Sequence, residues 1–367
     1  MKKRESNIEL LRIVAILLII VFHISYHCIY NQLSSTESIA LLNNGIYSNP
    51  YIYKRLYILA LISPLGQIGN ALFMLITGYF MISKKDINIT KITKKLLLQL
   101  VFASICLGIT SIIIYNYITE YSLNLVLFNS FNELSWYIGY YFLIVLFAIL
   151  YLNKFLNKID KKKYIMFLMI LLGITQFSWS IYIINDVASG LIKVFSGILL
   201  YSLGGYIKKY KPFNNIKIWA LILLGILINF IVIGDFYINT ASNINNYIDG
   251  LFIQQMPHYT DNQLLPISLG LIIFELFRRI KISYNKVINY IGASTFMIYL
   301  LHDNALFYSM WNTVDWITLL YTNIFKFIGI YLLWTCITFV IGLIVYFLYN
   351  LITKLYSKYK YIFIKSI

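Results

Sequence analysis

Ten stretches of this chain are each about as long and as apolar as a bilayer core requires, and that constrains the fold before anything else does. They cover residues 10–30, 57–82, 96–118, 134–153, 164–185, 187–207, 218–236, 264–277, 287–307 and 324–350, the eighth being the shortest. Inside hydrocarbon a backbone must satisfy its own hydrogen bonds, which leaves helices or a closed barrel. Barrel strands would alternate polar and apolar residues, and these runs do not. The expected fold is therefore all-α, a polytopic transmembrane helical bundle of about ten spans. Composition closes off the rivals. Only 12% of the 367 residues are charged and 60% are hydrophobic, whereas a soluble domain carries about 25% charge. A cytosolic globular enzyme is excluded, and 17% aromatic residues exclude intrinsic disorder.

The formal net charge of +16 would point to nucleic acid in a soluble protein. Its distribution assigns it to topology instead, and no nucleic-acid partner is expected. With the N-terminus inside, 25 of the 30 Lys and Arg residues fall in segments on one side: 2–4, 84–95, 154–163, 208–217, 278–286 and 354–365. The opposite loops hold Lys54 and Arg55 but nine acids, among them Glu37, Asp235, Asp303 and Asp315. Positive charge stays inside, so both termini are expected to be cytosolic in a multi-pass protein of the plasma membrane. The first run, behind Lys2, Lys3 and Arg4, imitates a secretory signal. Arg12 and His23 interrupt it and no A-x-A-like site follows, so an uncleaved first helix is expected. One membrane domain is expected to fill residues 1–367, with no soluble domain. The Asn-rich stretch 237–263 is the longest between spans and could cap a site from outside. Cys28, Cys106 and Cys336 lie far apart in apolar surroundings and read as small hydrophobes.

An ionisable group at bilayer depth costs at least about 2.5–3.5 kcal/mol, so each one marks a functional candidate. The first helix carries the densest set: Asn7, Glu9, Arg12, His23 and His27. Eleven residues separate Arg12 from His23, three turns plus roughly 20°, which puts both on one face about 16 Å apart along the axis. Glu9 stands three residues before Arg12, where it can pair with the guanidinium. The plain alternative is that Arg12 reaches back to the headgroups and Glu9 neutralises it. That leaves a deep histidine in the same stripe unexplained. His27, near the outer interface, reads as structural. The His-x-x-x-His spacing could hold a metal, but no further carboxylate or imidazole ligand is evident nearby, and none is expected.

A second deep histidine, His302, lies about 15 residues from the cytosolic start of its helix, and His23 about 13 from its own, so both reach about 20 Å from the inner surface. A shared polar cavity follows from that match if the two helices meet. Glu275 stands three and four residues before Arg278 and Arg279 and reads as a local ion pair. Gln67 and Asn70, beside Pro64, Gly66 and Gly69, mark either an irregular helix lining a cavity or close helix packing. Lys94 and Lys95, just inside the third run, serve as a topology signal and are also well placed for phosphates. Trp136 belongs with the interfacial aromatics.

Five segments, taken in order, resemble the acyltransferase-3 family, integral-membrane enzymes that modify bacterial surface sugars. Asn7-Ile-Glu9-Leu-Leu-Arg12 through Phe22-His23 is similar to that family's acidic residue followed by Arg, ten residues and His. Ala71 through Thr77-Gly78-Tyr79 resembles its apolar run ending in Ser-Gly-Tyr, with Thr for Ser. Lys94-Lys95 stand where members usually carry arginine. Leu134-Ser-Trp136-Tyr137 resembles a Leu-Trp-Phe element, and Tyr299-Leu-Leu-His302 a Tyr-Leu-x-His element. The resemblance spans essentially the whole chain. It implies transfer of an acyl group, acetyl foremost, from cytosolic acyl-CoA to a carbohydrate hydroxyl. His23 and Arg12 would be the catalytic residues, His23 as the base. Arg12, Glu9, Lys94 and Lys95 would bind the donor, with His302, Asn70, Trp136 and Tyr299 on the acceptor side. Membrane lipids and envelope-biosynthesis proteins are the expected surroundings. Histidine suits the base role because an alcohol needs a proton acceptor near neutral pH.

A transporter or flippase of a lipid-linked sugar is the rival reading, since a polar stripe can line a pathway. The paired Gly/Pro-broken helices of inverted-repeat transporters are not evident. A polymerase using a lipid-linked donor would expose a large Arg- or His-rich outer loop, and 237–263 holds few of either.

Overall fold

The computed structural model describes residues 4–33, 50–84, 87–115, 130–177, 182–238, 259 and 263–365. They form helices and, among the described residues, no strand. In chain order the helices are α1 (Ser6–Ile24), α2 (Pro50–Ile62), α3 (Leu65–Met81), α4 (Ile89–Tyr115), α5 (Ser130–Phe147), α6 (Lys161–Phe177), α7 (Tyr182–Tyr210), α8 (Ile218–Phe236), α9 (Leu264–Arg279), α10 (Lys286–His302), α11 (Ala305–Trp311), α12 (Trp316–Thr322) and α13 (Ile324–Lys365). Two of them continue past their ends through a π-helical turn. Ser25–Ile29 extends α1, and Ala148–Leu152 extends α5 into a further helical segment, Asn153–Lys158.

Among the described residues each expected apolar run is occupied by helix, and the differences in boundary have local causes. Ser63 and Pro64 break the 57–82 run into α2 and α3, because proline offers no N–H to continue the ladder. The 287–307 run stops at His302, where Asn304 takes over as the cap of α11 and accepts from the backbone N–H of Leu306 and Phe307. The boundary expected near residue 186 falls instead before Tyr182, and α13 runs on well past residue 350. Seven helical segments among the described residues are long and apolar enough to cross a membrane. The helices α6, α9 and α10 are shorter, at 17, 16 and 17 residues. The 237–263 stretch lies almost wholly outside the described residues. Of it, Tyr259 donates to Asp235 at 3.2 Å, and burial together with that carboxylate pushes its phenol above the ordinary range.

Burial sorts the helices into an inner and an outer set. The segments Tyr57–Met81 and Gly190–Tyr210 are 61% and 67% buried, while Ile89–Ile113 and Ile218–Phe236 are each 17% buried. The exposed faces of the outer helices carry Ile, Leu, Phe and Val, as a lipid-facing surface must. At the centre, α1 packs on α3, α9, α10 and α13, and α3 packs on α7 and α9. Lipid tails are as apolar as leucine, so helices in a bilayer associate through close backbone approach rather than hydrophobicity. Glycine supplies that approach here. A Cβ at Gly78 would fall 1.9 Å from the Tyr201 carbonyl oxygen, and one at Gly204 would fall 2.1 Å from that of Leu75. Gly69 meets Ala15 and Ile19 in the same way, so the glycines before Asn70 serve close packing of α3 on α1.

The α3–α7 crossing therefore tolerates no side chain at its glycines. Gly78→Ala or Gly204→Ala is expected to cost about 1–3 kcal/mol, seen as a lower thermal midpoint in detergent. Gly139→Ala, where a Cβ meets nothing within 4 Å, should leave the midpoint unchanged. Equal midpoints for all three would show that this contact does not hold the bundle.

Candidate active site

Near the N-terminal end of α1, Glu9 is 4% exposed. It accepts from Arg12 Nη1 at 3.0 and 3.2 Å and lies 3.5 Å from Arg4 Nη1. A buried carboxylate needs such partners, and the pairing holds the guanidinium on one side of the helix. The neighbouring helix leaves room for it. A Cβ on Gly292 of α10 would stand 2.5 Å from Glu9 Oε2 and 2.7 Å from its Cβ. At the start of α10, Asn289 accepts from the Ser6 hydroxyl. At the end of α9, Arg278 and Arg279 pair with Glu275, as the spacing suggested, and Asn7 donates to the carbonyl oxygens of Phe277 and Arg278.

Arg4, Arg12 and Lys95 border a cavity of about 270 Å³ whose inner wall includes Gln99, Tyr137 and Tyr299. Lys94, next to Lys95, is exposed and lies outside that lining. Asn70 also lies outside it, although its backbone carbonyl accepts from the Tyr137 hydroxyl at 3.5 Å. The side chain of Trp136 falls outside the described residues. Tyr299 is buried, with ring centroids 5.0 Å from Tyr137 and 5.5 Å from His302. It joins the cavity wall to a cluster of imidazoles.

In that cluster His23 and His302 stack with centroids 4.9 Å apart and planes at 20°, and His23 Nδ1 lies 2.8 Å from His302 Nε2. The matched depths of the two residues are thus realised as contact. Their tautomers follow from their partners. His302 Nδ1 lies 2.9 Å from the Tyr299 carbonyl and 3.3 Å from that of Ile298. A carbonyl can only accept, so Nδ1 of His302 carries the hydrogen and its Nε2 is the acceptor when the ring is neutral. His23 therefore donates from Nδ1 and keeps its lone pair on Nε2, the arrangement of a base.

Two readings of the sequence are corrected here. Asp303 was expected among the acids of the outer loops, yet it is 7% exposed. It lies 3.7 Å from His23 Nδ1 and 3.3 Å from His27 Nε2, and the Tyr308 hydroxyl donates to it. The helix break after His302 turns this carboxylate inward. His27 belongs to the same cluster. The π-helical turn Ser25–Ile29 carries it, and its ring stacks on Tyr308 with centroids 3.9 Å apart. The premise that the two histidines lack a nearby carboxylate is overturned. His23, His27 and Asp303 bring ligand atoms within 4.8 Å of one another and are the residues that could hold a divalent cation. In the hydrogen-bonded tautomer, the Nδ1 of His23 is committed to His302. The signal that could have exposed Asp303 was its place in His302-Asp303-Asn304, where Asn304 can cap a new helix.

Fold and site together define an integral-membrane helical protein with a buried imidazole–carboxylate centre beside a cation-rimmed cavity. Within that class the chain belongs to the acyltransferase-3 family: the family model described as Acyltransferase domain matches residues 5–348. It is a membrane acyltransferase by that membership. Neither curated proteins nor solved structures gave a match to the chain.

Glu9 and Gly292 touch, so their substitutions should interact. Glu9→Gln and Gly292→Ala are each expected to lower stability by about 1–3 kcal/mol. The double variant should fall short of the sum by at least about 0.5 kcal/mol. Full additivity in thermal melts would show that the contact is not energetically real.

Proposed function

We propose that this protein is a plasma-membrane O-acyltransferase that moves an acyl group, most simply acetyl, from cytosolic acyl-CoA to a hydroxyl of a surface polysaccharide or lipid-linked sugar. The observation that carries the reading is the order of groups along α1 and its neighbours. Three cations border a cavity, and Tyr299 of its wall packs against His302 of a base-competent imidazole pair. An acyl-CoA has the same order, polyanionic at the nucleotide and reactive at the tip of a thin thioester arm. A cavity of about 270 Å³ suits such an arm and leaves the nucleotide at the basic rim, where field and charge favour it. The ten-span topology with cytosolic termini is part of the proposal, resting on the distribution of basic residues.

The transfer then needs few parts. The acceptor hydroxyl attacks the thioester carbonyl as His23 Nε2 takes its proton. The new C–O bond forms, the C–S bond breaks, and the proton on His23 passes to the departing CoA sulfur. His302 acts as a positioning residue by holding His23 in the tautomer that leaves Nε2 free. Asp303, 3.7 Å from His23 Nδ1, favours the imidazolium while it lasts. Arg12, oriented by Glu9, and Lys95 receive phosphate or carbonyl oxygens of the donor.

His23→Ala should lower transfer of label from acetyl-CoA to the native glycan by about 10²–10⁴-fold while the protein remains folded. His302→Ala should lower kcat and shift the pH profile without changing KM for acetyl-CoA. Undiminished transfer by purified His23→Ala would refute the mechanism.

A further inference from the structure

Gln99 lies on α4 one turn beyond Lys95, on the same face, and both line the cavity. It is 1% exposed, and neither its Oε1 nor its Nε2 has a hydrogen-bond partner among the described residues. Burying a primary amide with both functions unmet is costly, and proteins rarely leave one so. The threonine hydroxyls on the same wall are already committed. Thr77 donates to the Phe73 carbonyl at 2.7 Å, and Thr295 donates to that of Gly292 at 3.0 Å. The lining also carries the apolar side chains of Phe73, Leu96 and Phe296, together with the tyrosines Tyr137, Tyr141 and Tyr299. The site thus offers one open acceptor and open donors on a wall whose threonine hydroxyls are already spent.

We propose that Gln99 recognises the donor's pantetheine arm by its two amides. This rests on the acyl-CoA reading above and deepens it. A secondary amide in the trans form points its C=O and N–H in opposite directions, so one side chain cannot take both groups from a single amide. The arm carries two amides separated by two methylenes. Gln99 accepts from the N–H of one and donates to the C=O of the other, while apolar neighbours pack the methylenes. The order along the channel matches the molecule. Lys95 meets phosphate at the rim, and Gln99 lies about 6 Å deeper, one turn on. The thioester lies beyond, toward His23, about 16 Å above Arg12.

The test compares purified wild-type protein with Gln99→Leu, which keeps side-chain bulk but removes the amide. Three donors serve as probes: acetyl-CoA, acetylpantetheine with both amides, and S-acetyl-N-acetylcysteamine with one. Gln99→Leu is expected to raise KM about tenfold for the first two donors, leave kcat unchanged, and narrow the discrimination between the second and third. Its thermal midpoint without donor should equal or exceed that of wild type, because an unmet buried amide has been removed. A lowered midpoint with unchanged KM would make Gln99 structural and overturn the inference. Unchanged KM and discrimination in a well-folded variant would overturn it as well. A wild-type protein that uses neither acetyl-CoA nor acetylpantetheine would instead overturn the donor reading beneath it.

Discussion

A carboxylate buried between two guanidinium groups settles how this molecule is put together. Glu9 cannot stand unpaired in an apolar bundle, and Arg12 satisfies it from three residues along the same helix. That pairing fixes which side of α1 carries positive charge. Helix geometry then fixes the rest, because His23 stands about 16 Å further on and only about 20° round. The neighbours that approach this face must come close without bulk. Gly66 and Gly69 of α3 and Gly292 of α10 each leave no room for a Cβ against α1. Helix α10 therefore arrives at the ion pair with a glycine and, ten residues later, at His23 with His302.

At the upper level the same two helices solve a different electrostatic problem. Three imidazoles close together need a shared partner to hold them in register. Asp303 supplies it, and it can do so only because α10 ends at His302 instead of running on. The π-helical turn in α1 is the matching irregularity on the other side, carrying His27 to the same carboxylate. Both departures from regular helix thus occur where polar groups meet within the bundle. Backbone irregularity at membrane depth is tolerated where protein surrounds it.

Much of this was legible in the chain, and the reason is the scarcity of charge. Against 60% hydrophobic residues, Glu9, Arg12 and His23 announce themselves, and their spacing alone puts them on one face. The depth of His302 could be counted from its helix start. Asp303 could not be read this way, because it sits at the edge of an apolar run where acids outside the membrane also gather. Only the capping role of Asn304, a matter of local backbone, distinguishes the two cases. Gln99 was passed over for another reason: an uncharged amide in an apolar run costs little on any hydropathy count, and its isolation appears only once its neighbours are known. The glycines of α3 were visible, but whether they served a cavity or a close crossing depended on which helix faced them.

The vertical arrangement also suits the two chemically opposed tasks that the proposed reaction gives to one helix. Cations that bind phosphate must stay near water, since desolvating them would weaken the site by more than the contact returns. An imidazole that removes a proton from an alcohol is better served away from water, where nearby charges act through a lower dielectric. About three turns of α1 separate the two requirements. Arg12 keeps partial exposure at 27% of its side chain, while His23 keeps 16%. Tyr299, at the cavity wall and against His302, joins the two levels. For Arg12 and His23 the separation is set by the pitch of a helix rather than by a loop, so these two cannot shift relative to one another unless α1 itself bends.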